Sequence, residues 1–81
     1  MEIAVVGTPE FTLGFQLAGI SRLHHPNGDE ELAEVMRSLL SQKDVGIVVI
    51  DSADITRLSD RLRSQIADSI TPTVLGIGTE E

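Results

Sequence analysis

The 81-residue sequence has no cysteine, no tryptophan and no tyrosine, and Lys43 is the single lysine among six basic residues. Without cysteine there is no disulfide framework and no thiolate metal cluster. That argues against a small secreted scaffold, which needs such staples, and for a cytoplasmic compartment. Long apolar runs are missing too: Ile3-Ala4-Val5-Val6 and Val45 to Ile50 fall far short of the roughly 20 residues that cross a bilayer. Met1-Glu2 offers no basic lead-in, so neither a signal peptide nor a membrane anchor is read. Positive charge is scarce, with 13 acidic against 6 basic residues and a net charge of −7. A polyphosphate backbone would be repelled and would find no basic stripe, so nucleic acid is not an expected partner. At this length a chain buries only about 60–65% of its unfolded surface, which limits it to one modest core.

What is present is a strict alternation of strand and helix patterns. Ile3 to Val6 and Val45 to Ile50 are unbroken apolar, β-branched runs, as expected of strands covered on both faces. Thr8-Pro9-Glu10 reads as a helix start, with a capping threonine, a proline at the first turn and a carboxylate on the helix dipole, and Gly19 as its stop. Ile20 to His25 is a short edge strand, and Pro26-Asn27-Gly28 is a turn into a second helix, with Asn27 as cap and Glu30 as its capping-box partner. Leu32, Val35, Met36 and Leu39 follow at helical spacing. Asp51-Ser52 opens a third helical region whose stripe is Leu58, Leu62, Ile66 and Ile70, ended by Pro72. Thr73 to Ile77 is a last strand, which the proline at its start favours as an edge. The order β-α-β-α-β-α-β predicts a small doubly wound, Rossmann-like and receiver-like α/β fold. It has a four-stranded parallel sheet in the order 2-1-3-4 with helices on both faces. Residues 1–78 form one domain, and 79–81 are a tail expected to fray.

In such sheets ligands bind beyond the carboxyl ends of the strands, here Gly7-Thr8, Asp51-Ser52 and Gly76-Ile77-Gly78. None of the three carries a phosphate-binding fingerprint, and Pro9 removes an amide that would hold a phosphate. Asp51 ends the third strand, where a receiver domain keeps its phosphoacceptor. The accompanying carboxylates and rim lysine are missing, however, so a helix cap is the simpler role. His24 and His25 are adjacent on a strand and point to opposite faces, which makes them a poor chelating pair and favours a solvated pair beside a turn. Asp29-Glu30-Glu31 sits in a first helical turn, where carboxylates are stabilising without a cation. No nucleophile–base set can be assembled. Neither catalytic residue, metal nor cofactor is expected.

The first helix points outward. On a helical wheel Phe11, Gly14, Phe15 and Ala18 form one stripe, while Leu13 and Leu17 lie well off its centre. Packing on a sheet needs one apolar face, so the surplus either covers a partner or marks a deeply buried helix.

The run Ala4-Val5-Val6-Gly7-Thr8-Pro9-Glu10-Phe11-Thr12-Leu13-Gly14-Phe15-Gln16-Leu17-Ala18-Gly19-Ile20 resembles the F subunit of the archaeal A-type ATP synthases, related to the V-type ATPases. Asp44 to Ile50 and Ile70-Thr71-Pro72-Thr73-Val74 agree with the same family. The resemblance implies a central-stalk rotor component without an active site. It would dock on the coiled-coil D subunit of the stalk, below the A and B subunits of the catalytic head, and help couple ATP turnover to ion transport at the cytoplasmic side of the membrane. Phe11, Leu13, Phe15 and Leu17 would carry partner contacts. The family continues past the last strand into a C-terminal helix, so this sequence is expected to correspond to the N-terminal domain. The segment His24 to Gly28 is more polar than the family pattern, and no role is assigned to it. The alternatives are a receiver-like phosphoacceptor or divalent-cation domain using Asp51, and a free-standing α/β module.

Overall fold

The two apolar runs form the middle of the sheet. In a computed structural model describing residues 1–78, β1 (Glu2–Val6) and β3 (Val45–Asp51) pair in parallel, with Ile3 opposite Ile47 and Val6 opposite Ile50. β2 (Arg22–His24) flanks β1 and β4 (Thr73–Ile77) flanks β3, giving the all-parallel order β2-β1-β3-β4 that the sequence predicts. The tail expected to fray, residues 79–81, lies outside the described residues.

Local chemistry sets the helix ends. α1 (Pro9–Leu17) begins where Thr8 Oγ1 accepts the Phe11 N–H at 3.2 Å. It ends where Gly19, at φ +103°, turns the chain so that the Gly19 and Ile20 amides return to the Gln16 and Phe15 carbonyls. This is the glycine-dependent closure that a side chain at this φ would strain. α2 (Asp29–Ser41) differs from expectation at its start. Gly28, not Asn27, occupies the cap with no side-chain bond, and Glu31 rather than Glu30 reaches back to accept the Asn27 N–H at 2.8 Å.

The third helical region is two helices. Asp51 Oδ1 accepts the Ala53 N–H at 3.0 Å and caps the short α3 (Ser52–Ile55), while Ser59 Oγ accepts the Leu62 N–H at 3.2 Å and caps α4 (Asp60–Asp68). The four-residue spacing concealed this break because Leu58 is buried from the connecting segment as effectively as Leu62 is from the helix. Ile70 lies beyond α4 and is 87% exposed, so it does not belong to the buried stripe.

Because paired residues of parallel strands share a face, Ala4, Val6, Val48 and Ile50 point to one side of the sheet. Leu32, Met36 and Leu39 of α2, together with Leu58 and Leu62, seal that side. Ile3, Val5, Ile47 and Val49 point to the other side, where α1 is the covering helix. At the amino ends of the strands, Arg22 Nη1 donates to Glu2 at 2.7 Å and Asp44 at 3.3 Å, and Nη2 donates to Gln42. These bonds tie the edge strand β2 to β1 and to the connection that leaves α2.

Candidate functional site

α1 is seated by a buried polar residue. Thr12 is 1% exposed, and its Oγ1 lies 3.3 Å from the Pro9 carbonyl and 2.8 Å from His25 Nε2. The half-buried Phe11 and Phe15 flank it, with ring centroids 5.5 Å apart and planes inclined at 45°. The inward arc is therefore rotated toward Thr12 relative to the predicted stripe, and Gly14 and Ala18 are exposed. Hydrophobicity alone misplaced the centre because it gave no weight to a threonine whose hydroxyl has partners in the interior.

Leu13 and Leu17 project from the opposite side of the helix, 52% and 79% exposed. Of the four residues singled out on α1, the two aromatics thus line the seat of the helix and the two leucines face outward. α1 is short, and the strands beyond it are left partly open. Leu75 and Ile77 of β4 are each 44% exposed on the same side of the sheet, in register with Val49 and Asp51 of β3. This patch is not marked by any motif or periodicity in the sequence. Its one available signal was an apolar strand placed last in the chain, at a sheet edge, with too few helices to cover both of its faces.

At the carboxyl rim, a groove of about 490 Å³ is lined by Phe11, Asp51, Ser52, Ala53, Ile77 and Gly78. The Phe11 ring packs where a side chain at residue 7 would stand, since a Cβ on Gly7 would lie 2.5 Å from its Cδ2. Thr8 and Asp51 both spend a side-chain oxygen on a helix cap. Among the described residues no cluster of three or more histidine, cysteine, aspartate or glutamate side chains is arranged to hold a metal ion.

The histidines are not the solvated pair expected. His25 is exposed but engages Thr12, whereas His24 faces a cavity of about 230 Å³ lined also by Glu34, Val35, Ser38 and Leu39. His24 Nε2 is buried and has no hydrogen-bond partner among the described residues. Burial holds its pKa below the ordinary value near 6.5, with the positive charges of Arg22 and His25 acting in the same direction. The alternation of side chains along β2 produces this split: His24 falls on the α2 face and His25 on the α1 face.

Comparison with known proteins agrees with this architecture. The sequence profile described as ATP synthase (F/14-kDa) subunit matches residues 3–81. The F subunit of the A-type ATP synthase of Methanospirillum hungatei is 42% identical over 81 residues, which are the whole of this chain and 81% of that protein. The corresponding protein of Haloquadratum walsbyi is 46% identical over 80 residues, covering 95% of this chain and 73% of that one. Among solved structures, the crystal structure of the V-type ATP synthase F subunit of Archaeoglobus fulgidus superposes with a TM-score of 0.87 at 38% identity. The match covers 95% of this chain and 96% of that one.

Proposed function

The chain belongs to the family of the ATP synthase (F/14-kDa) subunit, and on that premise we propose that it is a non-catalytic component of the central stalk of an A/V-type ATP synthase. It binds the coiled-coil D subunit of the stalk, turns with it beneath the A and B subunits of the catalytic head, and helps couple ATP turnover to ion transport. Its place is at the cytoplasmic surface of the membrane, held there by the complex; among the described residues no helix is long and apolar enough to cross a bilayer.

The observation that carries the docking assignment is the outward leucine pair of α1. Exposed leucines one helical turn apart form a ridge that fits the groove between the side chains of a facing helix. Burying them against a coiled coil removes from water the apolar surface the isolated domain leaves out. α1 can serve as a docking helix without disturbing the core, because its own attachment runs through Thr12, Phe11 and Phe15 on its other side.

The test is a calorimetric titration of the chain against the coiled-coil stalk protein encoded in the same genome, for the natural sequence and for the double variant Leu13→Asp, Leu17→Asp. One-to-one binding is expected, weakened at least tenfold in the variant, a loss of about 1.4 kcal/mol or more. The variant's circular dichroism and unfolding midpoint should be unchanged. Undiminished binding by the folded variant would remove these leucines from the interface, and absence of binding by the natural chain would overturn the stalk assignment.

A further inference from the structure

β4 leaves two kinds of surface unmet. As the last strand of the sheet it is hydrogen-bonded, among the described residues, by β3 alone, so alternate N–H and C=O groups along its outer side point away from the sheet. Thr73, Leu75, Gly76 and Ile77 are exposed and Val74 is half-buried. Edges of this kind are ordinarily blunted by lysine, by an inward charge, by a bulge or by proline. Thr73-Val74-Leu75-Gly76-Ile77 contains none of these: it has no charged residue, its register with β3 is regular from Thr73 to Ile77, and Pro72 stands before the strand rather than within it. β2, the opposite edge, is the contrasting case, with only three residues and with Arg22 fixed by carboxylates.

The second unmet surface is apolar. Leu75 and Ile77 stand two residues apart on the α1 side, so both face the same way. A helix laid over them would cover the side chains but offer nothing to the backbone groups of the edge. A strand paired with β4 meets both, because its main chain continues the ladder while alternate side chains extend the apolar face over Leu75 and Ile77.

Charge narrows the choice of strand. The chain carries −7, and Asp51 lies in register with Ile77 at the carboxyl end of this edge. A second copy would bring the same excess of negative charge to the contact, whereas a cationic strand is attracted to it.

We propose that the outer edge of β4 is a strand-addition site for an extended segment of a partner polypeptide that carries apolar residues at alternate positions and basic residues between them. The site is separate from the Leu13/Leu17 ridge and does not depend on what that ridge binds.

The experiment is an NMR titration of the isotope-labelled 81-residue chain with a capped synthetic peptide of alternating valine and lysine, read by amide shifts and amide hydrogen exchange. Shifts centred on Thr73–Ile77 and slowed exchange of β4 amides are expected. A peptide of the same sequence with alternate amides N-methylated keeps its charge and side chains but loses its donors, and it should bind roughly tenfold more weakly. Equal binding of the two peptides, or shifts centred on α1, would overturn the proposal. So would sedimentation of the chain alone as a dimer whose β4 amides are already protected, since the edge would then belong to a second copy.

Discussion

One sheet presents two faces that are finished in opposite ways. On the α2 and α4 side, Ala4, Val6, Val48 and Ile50 meet Leu32, Met36, Leu39 and Leu62, and every one of these is nearly or wholly inaccessible to water. On the α1 side, Val5 and Val49 are buried, yet the covering helix turns two leucines outward and leaves Leu75 and Ile77 partly bare. The strands are equally apolar on both sides, so composition did not create the difference. Helix number and length did: helices of 13, 4 and 9 residues pack on the first face and one of 9 on the second. The sealed face is where most of the buried apolar surface lies, and the open face is where apolar side chains are left to water.

The largest effect is expected from a cut into the sealed face. Met36 is fully buried, and Met36→Ala should cost about 2–5 kcal/mol through lost burial and the cavity left behind. Urea unfolding followed by circular dichroism checks this, and a loss within experimental scatter would mean that the α2 face is not the stabilising one.

A smaller effect is expected at the buried polar contact of Thr12 on the open face. Thr12→Val keeps the shape of the side chain but removes the oxygen 2.8 Å from His25 Nε2, and it should lower stability by about 0.5–1.5 kcal/mol. Because His25 is exposed, water can take over its side of the bond, which places the expectation below that for Met36→Ala. A Thr12→Ser variant, retaining the hydroxyl, should recover part of the loss.

The smallest effect concerns pH. His24 faces Glu34 and Ser38 from α2 and has Arg22 and His25 as neighbours along the chain. Its pKa is depressed in the folded state, chiefly by burial, so the unfolded chain binds the proton first as pH falls below about 6.5. The sign follows directly: the contribution of His24 is fully present above that value and is lost as pH falls through the lower folded pKa. His24→Leu should therefore flatten the fall in unfolding midpoint on the acid side. Parallel pH profiles for the natural chain and the variant would show that the edge strand's histidine is not the group being titrated.

Much of this was legible in the residues themselves. Unbroken β-branched runs identified β1 and β3 as the inner strands, and Thr8, Gly19 and Asp51 mark element ends through side-chain and backbone preferences that act within a few positions. What was not legible involved groups distant in sequence. The break between α3 and α4 was hidden because Leu58 reaches the core from a non-helical segment, and Ile70 continued the spacing without continuing the helix. Thr12 and His25 are thirteen positions apart and meet only because β2 runs beside β1, bringing His25 under α1. Leu75 and Ile77 read as ordinary strand residues, because exposure at an edge depends on which helices reach it.

The parallel α/β topology, the strand order, the family and the apolar surplus on the first helix follow from consecutive residues, since each rests on periodicity, short-range capping or a local motif. Which arc of α1 is seated, which histidine is buried and which part of the sheet is left open are set by the packing of elements distant in sequence. Burial is a property of what lies on the other side of a residue, and no local pattern encodes that.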